Sequence, residues 1–203
     1  MSGYFPNVLK KNGYACGIQI SPFDLTICER SIFFCTMSLA RTANLLGAIA
    51  LGLSDNILDT AERHVAHGGC TPAALCVIGH EPGQSIDFLA RVLGMSHPGA
   101  VRLVDRLEAD GLILRRASKE GRTVALHLTV SGRKRRMKLL ADRRTTLQQA
   151  MKLLSRCERA QLGGLLEKML IGIKRDSLHA YTICRLCEDA VCAPCPMTAA
   201  AEK

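Results

Sequence analysis

The sequence predicts a mainly α-helical protein with a small β element, an α+β fold in which long terminal helices flank a compact centre. Three observations support this class: apolar residues at helical intervals towards both ends, a helix, glycine turn and helix in the middle, and two short apolar strands directly after them. The 203 residues, 48% of them hydrophobic, suffice for one substantial domain with tails. We predict a poorly ordered extension over residues 1–36, a core over 37–178 and a cysteine-rich tail over 179–203.

The long helices are predicted from apolar periodicity and helix-start signals. An apolar stretch from Leu39 to Leu58 predicts the first helix, and Thr71-Pro72 is typical of the start of the second. Ser155 and Glu158 have the spacing of a capping box. The apolar residues after them recur at helical intervals: Leu162, Leu165, Leu166, Met169, Leu170 and Ile173. These helices carry more leucine than one small domain can cover, so we expect a dimer interface, with an intramolecular core as the alternative.

Residues 85–111 predict two short helices joined by a tight turn. The apolar residues of the first helix share one face: Ile86, Leu89, Ala90 and Leu93. Gly94 permits the sharp turn that follows. Ser96 can accept a hydrogen bond from the free amides of the next helix, and Pro98 is tolerated in its first turn. A second helix is therefore predicted to start at Ser96.

The second helix has two faces and leads into a hairpin. Its apolar stripe consists of Val101, Leu103, Val104 and Leu107, and its polar residues are His97, Arg102, Asp105 and Arg106. Gly111 is typical of a left-handed helix end. Residues 112–116 and 123–129 alternate or run apolar as strands do, and residues 117–122 between them are turn-rich. This is the order of a winged helix-turn-helix, with a DNA-binding core over residues 71–131.

Basic residues are concentrated from the hairpin into the next helix. The chain has 27 Lys and Arg against 18 Asp and Glu, a net charge of +9. Between Gly111 and Arg144 eleven bases face two acids, so this segment holds the entire excess. Such a run is commonly only a solvated face. Here, however, residues 133–136 are expected in the first turn of a helix begun by Ser131, where the helix dipole disfavours cations, so we interpret the segment as a phosphate-binding surface.

These residues resemble the MarR (multiple antibiotic resistance) family of transcription regulators. The resemblance covers roughly residues 39–178 and is carried by residues 89–96, 102–112, 120–122 and 128–132. It implies a homodimer whose terminal helices interlock and whose two reader helices sit in successive major grooves of double-stranded DNA. It also implies a regulator that is more often a repressor than an activator. The family commonly has Asp-x-Arg at the wing tip, where this chain has Glu120-Gly-Arg122, a departure that keeps a carboxylate near the arginine.

The resemblance assigns base contacts to the second helix, which we call the reader helix. We expect His97 and Arg102 to contact bases in the major groove. Ser96 is expected to help hold a phosphate at the helix N-terminus. Arg106 lies one turn after Arg102, and for it a brace within the helix through Asp105 or Glu108 is the alternative to a DNA contact.

The wing and the helix after it are expected to contact the DNA backbone. Arg122 is the candidate for the minor groove, and Glu120 either orients other wing arginines or is a simple exposed carboxylate. The expected backbone contacts are Arg115, Arg116, Lys119, Arg133, Lys134, Arg135 and Arg136.

Four cysteines in the tail form a second candidate functional site. Cys184, Cys187, Cys192 and Cys195 form a C-x2-C-x4-C-x2-C pattern, in which four thiolates can converge on one metal. The spacing from Cys187 onwards, with Pro196 after the last cysteine, favours an iron–sulfur cluster. The two C-x2-C pairs favour zinc, although zinc pairs are normally further apart. Redox thiols without a metal are the third alternative. The signal sensed, whether redox state, iron or a small-molecule effector, stays open.

The remaining patterns exclude several classes of protein. The chain has no Gly-rich phosphate loop, G-x-S-x-G elbow or H-E-x-x-H pair, so we expect no enzyme. The alternatives are a thiol-disulfide oxidoreductase using Cys184 and Cys187, which lack the βαβ context of such enzymes, and an architectural DNA-binding protein. The uncharged stretch 42–54 is too short to span a bilayer, and Lys10-Lys11 is not followed by a secretory apolar region. We therefore expect a cytoplasmic protein without a membrane partner.

Overall fold

The computed structural model describes residues 38–63, 68–117, 124–192 and 194–197. Their elements are α1 (Leu39–Glu62), α2 (Thr71–His80), α3 (Ile86–Leu93), α4 (His97–Ala109), β1 (Ile113–Ala117), β2 (Val124–Leu128), α5 (Val130–Ala150), α6 (Arg156–Ile173) and α7 (Ser177–Ile183), followed by a 3-10 turn (Asp189–Val191). The predicted fold class is confirmed, because these elements are mainly helical with one two-stranded sheet. The chain divides into residues 1–48 and 49–203, and of the first unit the structure describes the N-terminal part of α1.

The hydrophobic core is built from α2, α3, α4 and the two strands. Its largest fully buried apolar side chains are Leu75, Leu89, Val92, Leu103, Val104, Leu107, Ile113 and Leu126. Removing one such side chain from water contributes about 1.5–3 kcal/mol, so the group fixes the positions of the helices around it. Helix α2 is buried from Thr71 to Ile78 and forms the centre of the packing.

The start of α2 differs from the prediction. Pro72 lies in the first turn as expected, but the N-cap residue is Cys70, and it makes no side-chain cap hydrogen bond. Thr71 is instead the first helical residue and is only 2% exposed. Among the described residues its Oγ1 has no hydrogen-bond partner. Because α2 starts inside the core, the threonine side chain packs there instead of capping the helix.

The sheet is tied to the helix-turn-helix. The strands are antiparallel, with Ile113 opposite Leu128, and their bounds differ by one residue from the predicted ones. Leu126 of β2 accepts a hydrogen bond from Gly83 N at 2.9 Å and donates to the carbonyl of Gln84 at 3.0 Å. The segment that leads into α3 is therefore fixed to the second strand.

Helix α5 starts at the base of the sheet, two residues earlier than predicted. Thr129, not Ser131, is its N-cap, and the Thr129 hydroxyl accepts from Gly132 N at 3.0 Å and donates to the carbonyl of Gly111 at 2.7 Å. A Cβ on Gly132 would lie 2.0 Å from the carbonyl oxygen of Leu112, so only glycine permits this approach. Residues 134–136 consequently lie in the second turn, where the dipole penalty inferred from the sequence has largely faded.

Helix α6 begins with the predicted capping box. Ser155 N donates to Glu158 Oε2 at 2.7 Å, and Glu158 N donates to Ser155 Oγ at 3.3 Å. Hydrogen bonding of the exposed Glu158 carboxyl to Ser155, the backbone N–H first and the side chain second, lowers its pKa. No residue of α6 is buried within the chain. None of the described helices combines the length and apolarity needed to cross a bilayer.

Candidate nucleic-acid interface

The reader helix is α4. The position where it begins is set by a serine N-cap on α3, a glycine turn after α3 and a serine N-cap on α4 itself. Ser85 accepts a hydrogen bond from Phe88 N at 3.2 Å at the start of α3. Gly94 adopts a left-handed φ of 63° after α3, which favours glycine and allows the sharp turn. Ser96 then accepts from Gly99 N at 3.3 Å, as the sequence predicts. The Ser96 hydroxyl therefore caps α4. A phosphate would have to bind this hydroxyl in addition to the Gly99 amide.

The faces of α4 separate as predicted. The buried residues are Ala100, Leu103, Val104 and Leu107, and Val101 is half-buried. Arg102 and Arg106 are both exposed on the opposite side. Because the apolar face is locked into the core, the two guanidinium groups project from a rigid helix whose orientation does not depend on DNA.

His97 is held by the neighbouring helix. Its Nδ1 lies 2.6 Å from Oδ1 of Asp87 in the first turn of α3, and both side chains are exposed. This contact joins the starts of the two helices of the motif. A base or phosphate contact by His97 is therefore open to its other ring nitrogen, Nε2.

Arg115 is placed differently from the prediction. Its Nη2 lies 2.6 Å from Asp105 Oδ1 and its Nη1 2.5 Å from Glu108 Oε2, and its side chain is 27% exposed. The hydrogen bonds to these carboxylates, that to Asp105 first, raise the pKa of Arg115. Arg115 therefore makes the contacts with Asp105 and Glu108 that were the alternative for Arg106, and it joins β1 to the reader helix. Its predicted contact with the DNA backbone stays a prediction.

The basic residues of α5 differ in how far they are exposed. Lys134 and Arg135 are exposed. Arg133 is exposed but donates from Nη1 to the carbonyl of Leu128 at 2.9 Å. Arg136 is only 16% exposed and pairs through Nη2 with Asp189 Oδ1 at 2.8 Å. Because Asp189 of the tail engages its guanidinium, Arg136 is less accessible than its neighbours, and its predicted contact with the DNA backbone stays a prediction.

One exposed wing residue that is predicted to contact DNA lies within the described residues. Arg116 at the end of β1 is exposed, in contrast to its neighbour Arg115. Lys119, Glu120 and Arg122 lie outside the described residues, so their predicted roles stay predictions.

The tail docks on the domain through α7 and the residues after it. Tyr181 of α7 packs edge-on against Phe88 at a ring-centroid distance of 5.2 Å and donates its hydroxyl to Glu81 Oε1 at 2.9 Å. This hydrogen bond raises the pKa of Tyr181. Arg144 Nη1 pairs with Glu188 Oε1 at 2.7 Å. Together with the Arg136 and Asp189 pair, this contact attaches the segment after α7 to α5.

Asp189 makes two of the charged contacts that attach the tail to the domain. Besides Arg136, His80 Nδ1 lies 3.5 Å from its Oδ2. Burial raises the pKa of Asp189, but the hydrogen bond and charge of Arg136 and the charge of His80 outweigh that effect, so the pKa lies below its ordinary value. The carboxylate is therefore held in its charged form.

The four tail cysteines are close enough for their charges to act on one another. Cys184 and Cys187 are in thiol hydrogen-bond contact, and Cys187 is also in such contact with Cys192. The contact with Cys187 lowers the pKa of Cys184, and that with Cys184 raises the pKa of Cys187. Among the described residues no three His, Cys, Asp or Glu side chains are arranged to hold a metal ion, so the metal expectation for these residues and Cys195 stays a prediction.

The pairing of the acidic residues in these contacts was not predicted: Asp105 and Glu108 were considered as partners of Arg106 and pair with Arg115. Asp105 and Glu108 are three residues apart, a spacing that places two carboxylates on one helix face beside a basic strand. The adjacent Glu188 and Asp189 are matched by arginines about two turns apart on α5. Each signal is visible in the sequence, but neither says which of the eleven bases between Gly111 and Arg144 it pairs with.

Comparisons with known proteins agree with this geometry. Residues 72–122 match the MarR family model, which spans α2 to the wing tip. Similar solved structures include a MarR-family transcriptional regulator from Silicibacter pomeroyi, at 23% identity and TM-score 0.54 over 69% of this chain and 95% of that one. Another is MepR, a transcription regulator of the Staphylococcus aureus multidrug efflux pump MepA, at 22% identity and TM-score 0.55 over 65% and 98%. A MarR family protein from Bacillus stearothermophilus matches at 20% identity and TM-score 0.58 over 70% and 94%. No curated protein matches the chain.

Proposed function

We propose that this chain, whose residues 72–122 match the MarR family model, is a sequence-specific DNA-binding transcriptional regulator that acts as a homodimer. The observation that carries this proposal is the reader helix. Arg102 and Arg106 are exposed on a helix whose opposite face is buried, whose start is capped by Ser96 and whose C-terminal half is braced by Arg115. A side chain held in this way loses little further freedom when it meets a base edge.

In the proposed complex, α4 lies in the major groove. Arginine reads guanine through paired hydrogen bonds to O6 and N7, and each good pair contributes about 1–3 kcal/mol of discrimination. Arg102 is the candidate for this contact because it lies nearer than Arg106 to the N-terminal end of the helix, the end that meets base edges in helix-turn-helix proteins. His97 is a second candidate through Nε2.

Phosphate contacts are proposed for the exposed bases around this helix. Arg116, Lys134 and Arg135 are exposed on the segment that holds the chain's basic excess, and Arg133 is exposed with one guanidinium nitrogen engaged. We include Lys119 and Arg122 from the sequence prediction, with Arg122 in the minor groove. Contacts of this kind position the protein and make its affinity dependent on salt.

A homodimer is proposed because α6 carries large apolar side chains that the chain leaves exposed. Leu165 is 57% and Ile173 54% exposed, and Leu166, Met169 and Ile171 are exposed as well. An apolar helix face of this extent is typical of an interface between copies. Two readers related by a two-fold axis would contact half-sites about one helical turn of DNA apart. We further propose a repressor role, in which a dimer bound at a promoter excludes polymerase. The proposed effector is a small molecule or a redox signal.

Footprinting of the DNA upstream of the protein's own gene tests the proposal. We expect a bounded protected region containing an inverted repeat, with half-site centres about 10 base pairs apart or a multiple of that spacing. The double variant Arg102→Ala and Arg106→Ala should lose the bounded footprint while keeping the helical circular dichroism of the wild type. Protection that extends uniformly without an inverted repeat would contradict the proposal and favour an architectural DNA-binding protein.

A further inference from the structure

A carboxylate of α3 lies against the first residue of the reader helix. Oδ1 of Asp87 is 2.6 Å from Nδ1 of His97, ten residues further along the chain. Both residues occupy the first turn of a capped helix, because Ser85 caps α3 before Asp87 and Ser96 caps α4 before His97. The buried faces of α3 and α4 belong to the same hydrophobic core, so the contact joins two fixed helix ends.

The carboxylate determines which nitrogen of the His97 ring carries the proton. An ionised carboxylate can only accept a hydrogen bond, so Nδ1 has to donate. The dipole of α3 also stabilises a negative charge on Asp87, which lies in the first turn of that helix. A neutral imidazole has one ring proton, and Nε2 is therefore left with a lone pair that accepts. The His97 side chain is 56% exposed, so a partner from outside the chain can approach it.

We propose that Asp87 is a positioning residue for DNA recognition, which makes His97 select an amino group of adenine or cytosine. The inference rests on the proposed function, because it requires the start of α4 to lie in the major groove. In that groove adenine presents its N6 amino group and cytosine its N4 amino group, and both donate to an acceptor. Guanine presents O6 and N7, and thymine presents O4, so these bases would place an acceptor against the lone pair of Nε2.

This assignment separates His97 from the arginines of the interface. An arginine donates to guanine or to a phosphate, whereas an accepting Nε2 is satisfied by neither of them. His97 is therefore a base contact and not a phosphate contact. Arg102 and His97 on one helix then read opposite hydrogen-bond patterns, the first an acceptor pair and the second a donor.

Two simpler roles of Asp87 predict different results. As a helix-stabilising residue it would affect only the start of α3, and as a negative charge beside DNA it would repel every sequence alike. Removing the carboxylate would then leave the affinity for DNA unchanged or raise it uniformly. A carboxylate that orients His97 instead changes the preference at one base pair, in the same way as removal of the imidazole does.

Nitrogen-15 NMR of the full-length protein tests the position of the ring proton without DNA. The ring nitrogens of the six histidines are labelled, and His97→Ala assigns the signals of His97. At pH 8, where imidazole is ordinarily neutral, we expect Nδ1 of wild-type His97 to carry the proton and Nε2 to carry none. Asp87→Ala should move the proton mainly to Nε2, whereas Asp87→Asn should keep it on Nδ1 because the amide oxygen still accepts. A proton on Nε2 of the wild-type ring would overturn the proposal.

Titration of the footprinted repeat and its single-base variants at the same pH tests the consequence for DNA. We expect wild-type protein to prefer adenine or cytosine over guanine or thymine at one position of each half-site by about 2- to 10-fold, the range of one net hydrogen bond. His97→Ala and Asp87→Ala should both lose this preference, and Asp87→Asn should retain it. Asp55→Ala, which removes an exposed carboxylate of α1, is the matched control and should bind as the wild type does.

The titration distinguishes failure of this role from failure of the proposed function. If wild-type protein prefers the repeat over scrambled DNA but Asp87→Ala keeps every base preference, the proposed function is supported and the role of Asp87 is overturned. The role is also overturned if His97→Ala weakens binding to all base variants equally, or if Asp87→Ala and Asp87→Asn change the preference alike. Equal binding of all duplexes by wild-type protein would contradict both proposals.

Discussion

Arg115 and Asp105 form the contact that joins the wing to the reader helix, with Nη2 2.6 Å from Oδ1. The same guanidinium reaches Glu108 on the next turn of α4 through Nη1 at 2.5 Å. The hairpin and the helix are therefore held in one fixed relation before DNA is present. Arg116, the next residue of β1, is exposed and free to serve a different purpose.

Neutralising these two neighbours should have different effects. Arg115→Gln removes one brace and leaves two carboxylates close together, so we expect the free energy of unfolding to fall by about 1 kcal/mol, a value that allows for partial solvent screening. Arg116→Gln should leave stability nearly unchanged but lower the slope of log affinity against log salt by about 1, as for one lost phosphate contact. Urea unfolding and salt-dependent DNA titrations measure the two effects. Equal salt slopes for Arg116→Gln and the wild type would remove Arg116 from the phosphate contacts.

Gly132→Ala should be strongly destabilising. The new Cβ would lie 2.0 Å from the backbone oxygen of Leu112, which cannot move without shifting the base of the sheet. Overpacking of this kind costs about 1–3 kcal/mol or more. The control is Gly163→Ala in α6, where a Cβ meets nothing within 4 Å and helix propensity should add about 0.5–1 kcal/mol. Thermal unfolding distinguishes them, and a neutral Gly132→Ala would refute the close approach of α5.

Leu165→Glu should turn the proposed dimer into a monomer. The side chain is 57% exposed on α6, and a carboxylate there would be buried without a partner in an interface between copies. Leu153→Glu is the control, since Leu153 is 96% exposed in the loop before α6. Light scattering coupled to gel filtration measures the mass. A wild-type monomer at micromolar concentration, or a dimeric Leu165→Glu, would argue against this face as the interface.

Asp189→Asn should weaken tail docking in a pH-dependent way. Arg136 lowers the pKa of Asp189 in the folded protein, so the carboxylate stabilises the fold above its unfolded pKa, and that contribution is lost as pH falls through the folded value. We expect the variant to be about 1 kcal/mol less stable near neutral pH, after allowance for the 43% exposure of the Asp189 side chain. The difference should shrink in acid, below the ordinary aspartate pKa of 3.8. Urea unfolding at several pH values measures it, with Asp55→Asn on exposed α1 as the control. A difference that does not change with pH would contradict the ion pair.

Arg102→Ala should weaken operator binding at one base position. Loss of a paired arginine contact with guanine costs about 1–3 kcal/mol and relaxes the preference at that position. Lys152→Ala in the exposed segment after α5 should leave both unchanged. Titration of the operator and its single-base variants measures the effect. A uniform loss across all base variants would instead assign Arg102 to the phosphates.

Many features of the helix-turn-helix could be predicted from short local patterns in the sequence. Ser96 and Gly94 mark the turn because a cap and a left-handed φ need those residue types, and the structure has both features where they are expected. The capping box at Ser155 is equally local. Each of these features depends on residues within a few positions of one another.

Features that depend on tertiary contact were harder to predict. Thr129 rather than Ser131 caps α5 because its hydroxyl also reaches Gly111, eighteen residues earlier along the chain. The basic segment predicts that Arg136 binds phosphate, whereas in the structure Arg136 pairs with Asp189, fifty-three residues later in the chain. A basic segment shows how many positive charges the chain has, but tertiary packing determines which of them face solvent.

The most direct test of the central claim is a titration of wild-type protein against a duplex carrying the footprinted repeat and against a scrambled duplex of equal length and composition, at one physiological salt concentration. A sequence-specific regulator should bind the repeat at least about 10³-fold more tightly than the scrambled duplex. Equal affinities for the two duplexes would contradict the assignment of α4 as a sequence reader.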